Sequence, residues 1–417
     1  MGYSFGFCTL TKMSKVAELE EQVFEPNLSS GWFDDMILRT SLFKFEGVRI
    51  AELNDRIVSV VIVLPKRMRI GSATVLEGGV IGVATHPDHR RKGLATRLLT
   101  DAISYMSEIG CPISTLGTMN PTFYQRLGWE IAQPSYSYLI SRDSLLSLDK
   151  SGFEVRTFRS ADLDEVMAID QETNAYRTGS LVRSREDWER EISYPCIHRH
   201  DMYESKGFET FLVGLRDNRV ISYTRCMRDG GTTHIMECGI REESCVPAIL
   251  RYLAEHEPGC ITNIEANLPL DNPLVQLLLR LGAKDNSSYS GHPSRGLSSR
   301  MVRIIDLPRL LESIVAELTR RISSVKELEG SLRLRVGEES VLLRISDRTV
   351  TIERGMTGMH VFKTTLNVMA RIVMGHLLPS SAVEKGFAKA DVRSLKLMDS
   401  LFPRGYPMHR SIDPLCQ

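Results

Sequence analysis

No sign of charge predominates in this sequence of 417 residues: 52 Lys and Arg stand against 52 Asp and Glu, leaving formal net charge zero. That balance excludes a whole-molecule grip on nucleic acid or an anionic membrane, which rests on excess basic charge. No apolar run approaches the roughly 20 residues that span a bilayer. The opening residues Met1 to Cys8 lack the basic start and apolar stretch of a secretion signal, and Gly6 stands where a myristoylation signal has Ser or Thr. The eight cysteines form no C-x-x-C pair and no regular spacing, so a disulfide framework is not expected at this length. His198 and His200 have no clustered third ligand, so no metal is predicted. These absences together predict a cytoplasmic protein without a membrane or nucleic-acid partner.

What is present is an ordinary globular composition, 42% apolar and 25% charged, in a chain long enough for two to three domains of about 150 residues. Residues 1–150 read as mixed α/β. Met13, Val16, Leu19 and Val23 recur at helical spacing, and two β-rich runs are joined by Asn54-Asp55. A further run ends in Gly78-Gly79-Val80-Ile81-Gly82-Val83, after which Leu94, Leu98, Leu99, Ala102, Ile103 and Met106 line one face of a helix. Residues 151–300 repeat this order of elements, with a hairpin at Asp217-Asn218 and a helix over Val246 to His256. The two segments also end alike, in Asn120-Pro121 with Arg126-Leu127-Gly128 and in Asn272-Pro273 with Arg280-Leu281-Gly282. Self-similarity at this length points to a duplicated domain. Residues 301–417 follow a Ser- and Gly-rich stretch and read as a separate α+β unit.

The stretch that carries chemistry is Val80 to Leu99, a β-run followed by a basic, Gly-containing turn and an amphipathic helix. Amides at a helix N-terminus lack intrahelical partners, and the helix dipole favours negative charge there. Gly93 lets a backbone approach closely, Arg90, Arg91 and Lys92 add positive charge, and Ala95 leaves room over the first turn. The combination suits a pyrophosphate, although a solvated basic turn before a core helix would read the same. The spacing Arg-x-x-Gly-x-Ala is not a Walker pattern, and no G-x-G-x-x-G accompanies it. About 30 residues on, Phe123-Tyr124 precedes Gly128-Trp129 at the end of a short helix.

Those two motifs, in that order, resemble the GCN5-related N-acetyltransferases (GNAT). Over nearly the whole length, the arrangement is similar to the enhanced intracellular survival (Eis) family. The phrases Tyr176 to Leu181 with Trp188, and Leu397 to Pro403, add to that resemblance. It implies an α/β (α+β) fold with two tandem GNAT-like domains, 1–150 catalytic and 151–300 non-catalytic, then a sterol-carrier-protein-like α+β domain at 301–417. It further implies acetyl-CoA as co-substrate, a small-molecule or peptide amine as acceptor, direct transfer in a ternary complex, and a homo-oligomer, by family habit a hexamer. By the same resemblance, Val83, Ala84 and Thr85 meet acetyl-CoA through their backbone. Arg91, Lys92, Gly93, Leu94, Ala95 and Thr96 hold its pyrophosphate, and Met119 and Asn120 add contacts. Tyr124 falls on the general acid and Gln417, through its α-carboxylate, on the base.

The second segment is an internal control. Four residues before Gly128 is Tyr124; four before Gly282 is Leu278, and Arg241-Glu242-Glu243 replaces the basic turn. Two acidic residues there would repel a pyrophosphate. Several other residues have bland explanations: His86 and His89 as helix-entry packing, Arg183 and Arg185 as a solvated loop, Arg320 and Arg321 as charges at a helix C-terminus, and Asp34 and Asp35 as a solvated turn. The end Leu415-Cys416-Gln417 lacks an acidic side chain, which weakens any inference to polycationic acceptors. Two rival readings stay open: a transferase for longer acyl chains, and a lipid or small-molecule carrier whose first domain senses acyl-CoA.

Overall fold

The computed structural model describes residues 2–24, 42–193, 210–229, 231–256, 261–288, 299–323, 325, 329–353 and 360–408. The first part contains strands β1 (Ser4–Phe7), β2 (Val48–Leu53), β3 (Arg56–Ile70), β4 (Ala73–Thr85), β5 (Ile113–Thr118) and β6 (Glu130–Ile131), with helices α1 (Met13–Phe24), α2 (Leu94–Glu108) and α3 (Pro121–Gln125). The second contains β7 (Tyr138–Ser141), β8 (Glu154–Thr157), β9 (Thr210–Arg216), β10 (Arg219–Asp229), β11 (Thr232–Ile240), β12 (Asn263–Ala266) and β13 (Lys284–Asp285), with α4 (Leu163–Asn174), α5 (Arg185–Ser193), α6 (Val246–His256) and α7 (Pro273–Arg280). After β14 (Ser299–Ile304) come α8 (Leu307–Ser313) and α9 (Val315–Ile322). Then follow β15 (Gly330–Val336), β16 (Glu339–Ser346), β17 (Thr349–Glu353), β18 (His360–Thr364), α10 (Leu366–Val373), α11 (Pro379–Glu384), β19 (Lys389–Ala390) and α12 (Val392–Leu401).

Local chemistry explains the hairpins. Asn54-Asp55 and Asp217-Asn218 hold both turn residues at positive φ, as does Asp347-Arg348 between β16 and β17. Two-residue turns of this kind match the twist of the strands they join, and Asn and Asp tolerate them. The long β3–β4 ribbon is sandwiched between helices. Val61 and Val63 lie under α2 with Leu94, Leu98 and Ala102, while Val60, Ile62 and Leu64 pack under α1 with Met13 and Val16. This period-2 alternation places α1 and α2 on opposite faces of one sheet. Each fully buried aliphatic side chain contributes about 1.5–3 kcal/mol.

The three sheets run β1-β2-β3-β4-β5-β14-β6, β13-β7-β12-β11-β10-β9-β8 and β17-β16-β15-β18-β19. They cross the expected boundaries at 150 and 300. Strand β7 lies in the second sheet, paired with β12 and β13, and β14 lies in the first, between β5 and β6. Strand β14 was legible from its alternation, but its partner is Ile113 to Thr118, too distant along the chain for any local pattern to name. The exchange fuses the parts: Met68, Ile70, Val75 and Ile113 share one apolar cluster with Leu310, Leu318, Phe362 and Leu401. The phrase around Tyr176 to Leu181 also joins domains, since Gly179 and Val182 donate backbone hydrogen bonds to Arg69 and Arg67, and Arg69 donates to Ser180.

One carboxyl group fastens the first part to the third. Glu317 on α9 accepts hydrogen bonds from Ser72 Oγ at 2.7 Å, in the β3–β4 turn, and from Arg320 and Arg321 on its own helix. Arg320 and Arg321 stand in the last turn of α9, as expected of helix-end charges, and they are also partners of this carboxylate. Its side chain is 1% exposed. Burial pushes its carboxyl up, but the hydrogen bonds from Arg320, Ser72 and Arg321 outweigh that and hold it at about 2. A folded value below the unfolded one means stability that is present above about pH 4.3 and lost as pH falls towards 2. Glu317→Gln is therefore expected to cost about 3 kcal/mol at neutral pH. Denaturation curves at pH 7 and pH 3 should show the deficit shrinking as the medium is acidified.

Candidate active site

The site begins where two strands part. Strand β4 pairs in parallel with β5 from Glu77↔Ile113 to Val80↔Leu116 and no further. On its other side β4 stays bonded to β3 as far as Ser59↔Thr85, with a bulge: Val60 faces Ala84 and Ile62 faces Ile81, so Gly82 and Val83 together oppose Val61. A bulge re-aims the backbone and ends regular pairing. Beyond Val80, the β5-facing edge of β4 therefore offers backbone donors and acceptors to a ligand. Val83, Ala84 and Thr85 lie on this edge. Thr85 is further held by Ser59, whose Oγ is 2.7 Å from the Thr85 hydroxyl.

The chain leaves β4 through a 3-10 turn at Pro87–His89 and reaches α2 through Arg90 to Gly93. Arg91 has φ +60° and Gly93 φ +78°, and a Cβ at Gly93 would meet nothing within 4 Å. Left-handed residues in such alternation gather amides into an anion-binding concavity. The first helical bond of α2 runs from Arg97 N–H to Gly93 O, which leaves the amides of Leu94, Ala95 and Thr96 without intrahelical acceptors. Arg91, Lys92 and Thr96 are exposed. His86 and His89 brace the turn: Arg56 lies 3.1 Å from His86 Nε2, and Tyr3 Oη lies 2.9 Å from His89 Nδ1. Packing thus accounts for both histidines.

The opposite wall starts at the end of β5. Met119 is exposed, and the Asn120 side chain does not cap α3. Tyr124 belongs to the same apolar cluster as Val80, Leu94, Leu116 and Trp129. Rings of Phe123 and Trp129 meet it edge-on at 5.0 and 6.2 Å between centroids. Arg303 of β14 donates to Leu127 O and lies over the Trp129 ring, fixing the end of α3. Burial pushes the Tyr124 phenol up to about 12.

The structure thus gathers Val83, Ala84, Thr85, the 91–96 turn, Met119, Asn120 and Tyr124 around one opening. Gln417, His198, His200, Asp34 and Asp35 lie outside the described residues. One buried charged residue beside the β4 bulge escaped the sequence reading. Glu20 is buried on the same face of α1 as Met13, Val16 and Ala17, and a Cβ on Gly82 would stand 2.6 Å from its Oε1. Its signal was present as a charged residue on an apolar helical stripe.

The second domain has the same frame without this chemistry. Trp129 N–H bonds to Tyr124 O across Gly128, and Ala283 N–H bonds to Leu278 O across Gly282, so Leu278 occupies the frame position of Tyr124. Strand β11 likewise parts from β12 after Ile235↔Ala266. No described residue from Arg241 to Cys245 has positive φ. Arg241 is bound to Glu165 and Glu172, and Glu242 to Arg216. The cleft is lined by carboxylates Asp170 and Glu237 and by Met408 of the chain's own C-terminal segment. That segment is bound there: Arg177 donates to Tyr406 O, Tyr136 to Pro407 O, and Met408 N–H to Thr178 O. Arg183, read as part of a solvated loop, is instead buried among Asp170, Glu191 and Glu237 at 2.7, 3.0 and 2.5 Å.

Comparison with known proteins bears on the first domain by sequence and on the whole chain by fold. Residues 7–132 match the family described as Acetyltransferase (GNAT) domain. No curated protein sequence matches the chain. Among solved structures, a GCN5-related N-acetyltransferase from Anabaena variabilis aligns over 97% of this chain and 98% of its own, with TM-score 0.76 and 16% identity. A probable N-acyltransferase from Enterococcus faecalis aligns over 98% of each chain, with TM-score 0.76 and 13% identity. Eis1 from Mycobacterium abscessus aligns over 98% of this chain and 99% of its own, with TM-score 0.69 and 15% identity. At such identities the likeness is one of fold, and it spans all three parts: tandem GNAT-like domains and a further α+β domain. The match to a GNAT acetyltransferase domain thus falls on residues 7–132, the part of the chain in which the strands part beside an open, basic helix N-terminus.

Proposed function

We propose that the chain is an Eis-like, acetyl-CoA-dependent N-acetyltransferase that passes the acetyl group directly to a primary amine. The observation that carries the proposal is the unpaired edge of β4 beyond Val80 beside the free amides of α2, with Tyr124 in the same apolar cluster as Val80 and Leu116. In this reading the backbone at Val83, Ala84 and Thr85 aligns the pantetheine arm, with Met119 and Asn120 opposite. The amides of Gly93 to Thr96, aided by Arg91 and Lys92, hold the pyrophosphate. A strand amide near Val83 stabilises the oxyanion that forms as the amine adds. The leaving thiolate, similar to a cysteine thiolate of about 8.5, is protonated by Tyr124. With burial pushing its phenol up to about 12, Tyr124 stays protonated at any working pH and regains a proton as it gives one up.

The α-carboxylate of Gln417 is proposed to meet the acceptor ammonium, and 301–417 to be a sterol-carrier-like domain that delivers it. The bonds that hold Tyr406 to Met408 against the second domain support that route. A hexamer in the cytoplasm completes the proposal by family resemblance.

Free-thiol release from acetyl-CoA across aminoglycosides, polyamines, lysine peptides and arylamines tests the activity. Saturable release with an amine is expected; acetyl-CoA binding without release to any of them would favour a carrier. Tyr124→Phe should lower kcat about 100-fold or more while calorimetry shows unchanged acetyl-CoA affinity. Gly93→Val, which forces a branched side chain to positive φ, should weaken acetyl-CoA binding about tenfold. One residue added after Gln417 should impair turnover, and unchanged rates would remove that carboxylate from the reaction.

A further inference from the structure

Helix α1 buries Met13, Val16, Ala17 and Glu20 against the sheet. The first three are what a core-facing stripe calls for. Glu20 is not: it is 4% exposed, and its Oε1 has no hydrogen-bond partner. Buried polar groups are nearly always satisfied, and an unpaired buried carboxyl is strongly unfavourable. Among the described residues, nothing offsets this. Oε1 lies against the Cα of Gly82, with Ile62 Cδ1 beside the same point, and the packed cluster on this face contains Val60, Ile62, Ile81 and Ala84. A group that destabilises the fold, set against a strand bulge at the end of regular pairing, is a candidate for chemistry.

We propose that Glu20 is a catalytic residue whose carboxylate takes the proton from an alkylammonium acceptor, which enters along the α1 face and meets the thioester at the β4 bulge. The inference rests on the N-acetyltransferase reading above and adds to it the proton acceptor and the acceptor class. Three observations carry it. Gly82 is part of the bulge from which β4 turns away from β5, so Oε1 touches the strand segment assigned to the acetyl end. Glu20 lies on the α1 face, whereas the pyrophosphate turn opens α2 on the other face, so the two substrates approach from opposite sides. The absent Cβ of Gly82 is what lets the carboxyl reach the strand at all.

Proton affinities fit the role. Burial pushes the Glu20 carboxyl up to about 8, with no charged neighbour contributing. An alkylammonium near about 10 is then roughly two units away, whereas a terminal carboxylate near about 3.5 lies more than six below. In the balanced step, R–NH3+ gives one proton to the Glu20 carboxylate, and the freed nitrogen pair forms the C–N bond to the thioester carbon. The C–S bond breaks with its electrons on sulfur, and the thiolate takes the Tyr124 proton. The phenolate recovers the second proton shed by the acylated nitrogen. Glu20 releases its own proton to solvent.

The test uses the full chain with Glu20→Gln and Glu20→Asp, acetyl-CoA, and two acceptors: benzylamine, protonated at neutral pH, and p-anisidine, largely neutral there. With Glu20→Gln, kcat for benzylamine should fall about 100-fold or more, and the loss for p-anisidine should be at least tenfold smaller. The acid limb near pH 8 in the wild-type benzylamine profile should disappear, and Glu20→Asp should restore a limb at reduced rate. Two readouts do not depend on activity. An infrared band of a protonated carboxyl, present at pH 7 and lost above pH 8, should be missing in Glu20→Gln, and that variant should melt no lower than wild type with unchanged acetyl-CoA affinity. Equal losses for both amines, an unchanged pH profile, or a marked fall in melting temperature would overturn the proposal. Wild-type protein that binds acetyl-CoA but releases no thiol with either amine would overturn both the acetyltransferase reading and this one, whereas an active wild type with an indifferent Glu20→Gln would overturn this one alone.

Discussion

The parallel bond between β4 and β5 stops at Val80 and Leu116, and the rest of the first domain is arranged around that stop. Parallel pairing normally satisfies both edges of an inner strand. Here the bulge at Gly82 and Val83 keeps β4 bonded to β3 while it turns from β5. An inner strand thereby acquires an edge in the middle of a sheet. An unsatisfied edge is costly unless water or a ligand covers it. Helix α2 begins beside this stop with amides free of intrahelical acceptors, and α3 carries Tyr124 in the apolar cluster that includes Val80 and Leu116.

Duplication tests this account from within the molecule. Both domains have parting strands, a helix after the second of them, and a glycine at φ near +88° or +89° closing that helix. The second lacks the left-handed turn, has Leu278 in place of Tyr124, and lets its own C-terminal segment lie against the cleft. Two acidic side chains, Asp170 and Glu237, line that cleft and are bound to Arg183. The frame is thus retained where the left-handed turn and the tyrosine are not, so neither of these is required by the fold itself.

Much of this was legible in the sequence because it depends on local rules. The Arg-x-x-Gly-x-Ala turn, the amphipathic α2, the hairpins at Asn54-Asp55 and Asp217-Asn218 and the Tyr124 helix all follow from short-range patterns. Long-range pairing was not legible. Strand β14 was visible as alternation, but nothing near it names β5 as its partner, and so the boundaries at 150 and 300 are crossed by β7 and β14. Arg183 was misread for a related reason. Its partners, Asp170, Glu191 and Glu237, come from three separate elements, and a charged side chain in a polar stretch gives no hint of burial. Glu20 lay in plain view on the apolar stripe of α1, but periodicity was counted over apolar residues alone.

The central claim is that the first domain, and not the second, closes on acyl-CoA along the unpaired edge of β4. Amide hydrogen exchange with and without acetyl-CoA tests it most directly, because an unbonded amide that gains an acceptor exchanges more slowly. The account predicts new protection over 82–96 and 117–124, around the β4 bulge, the α2 turn and α3, with none over 236–246 in the second domain. Protection confined to the second domain, or binding that leaves 82–96 unchanged, would contradict it.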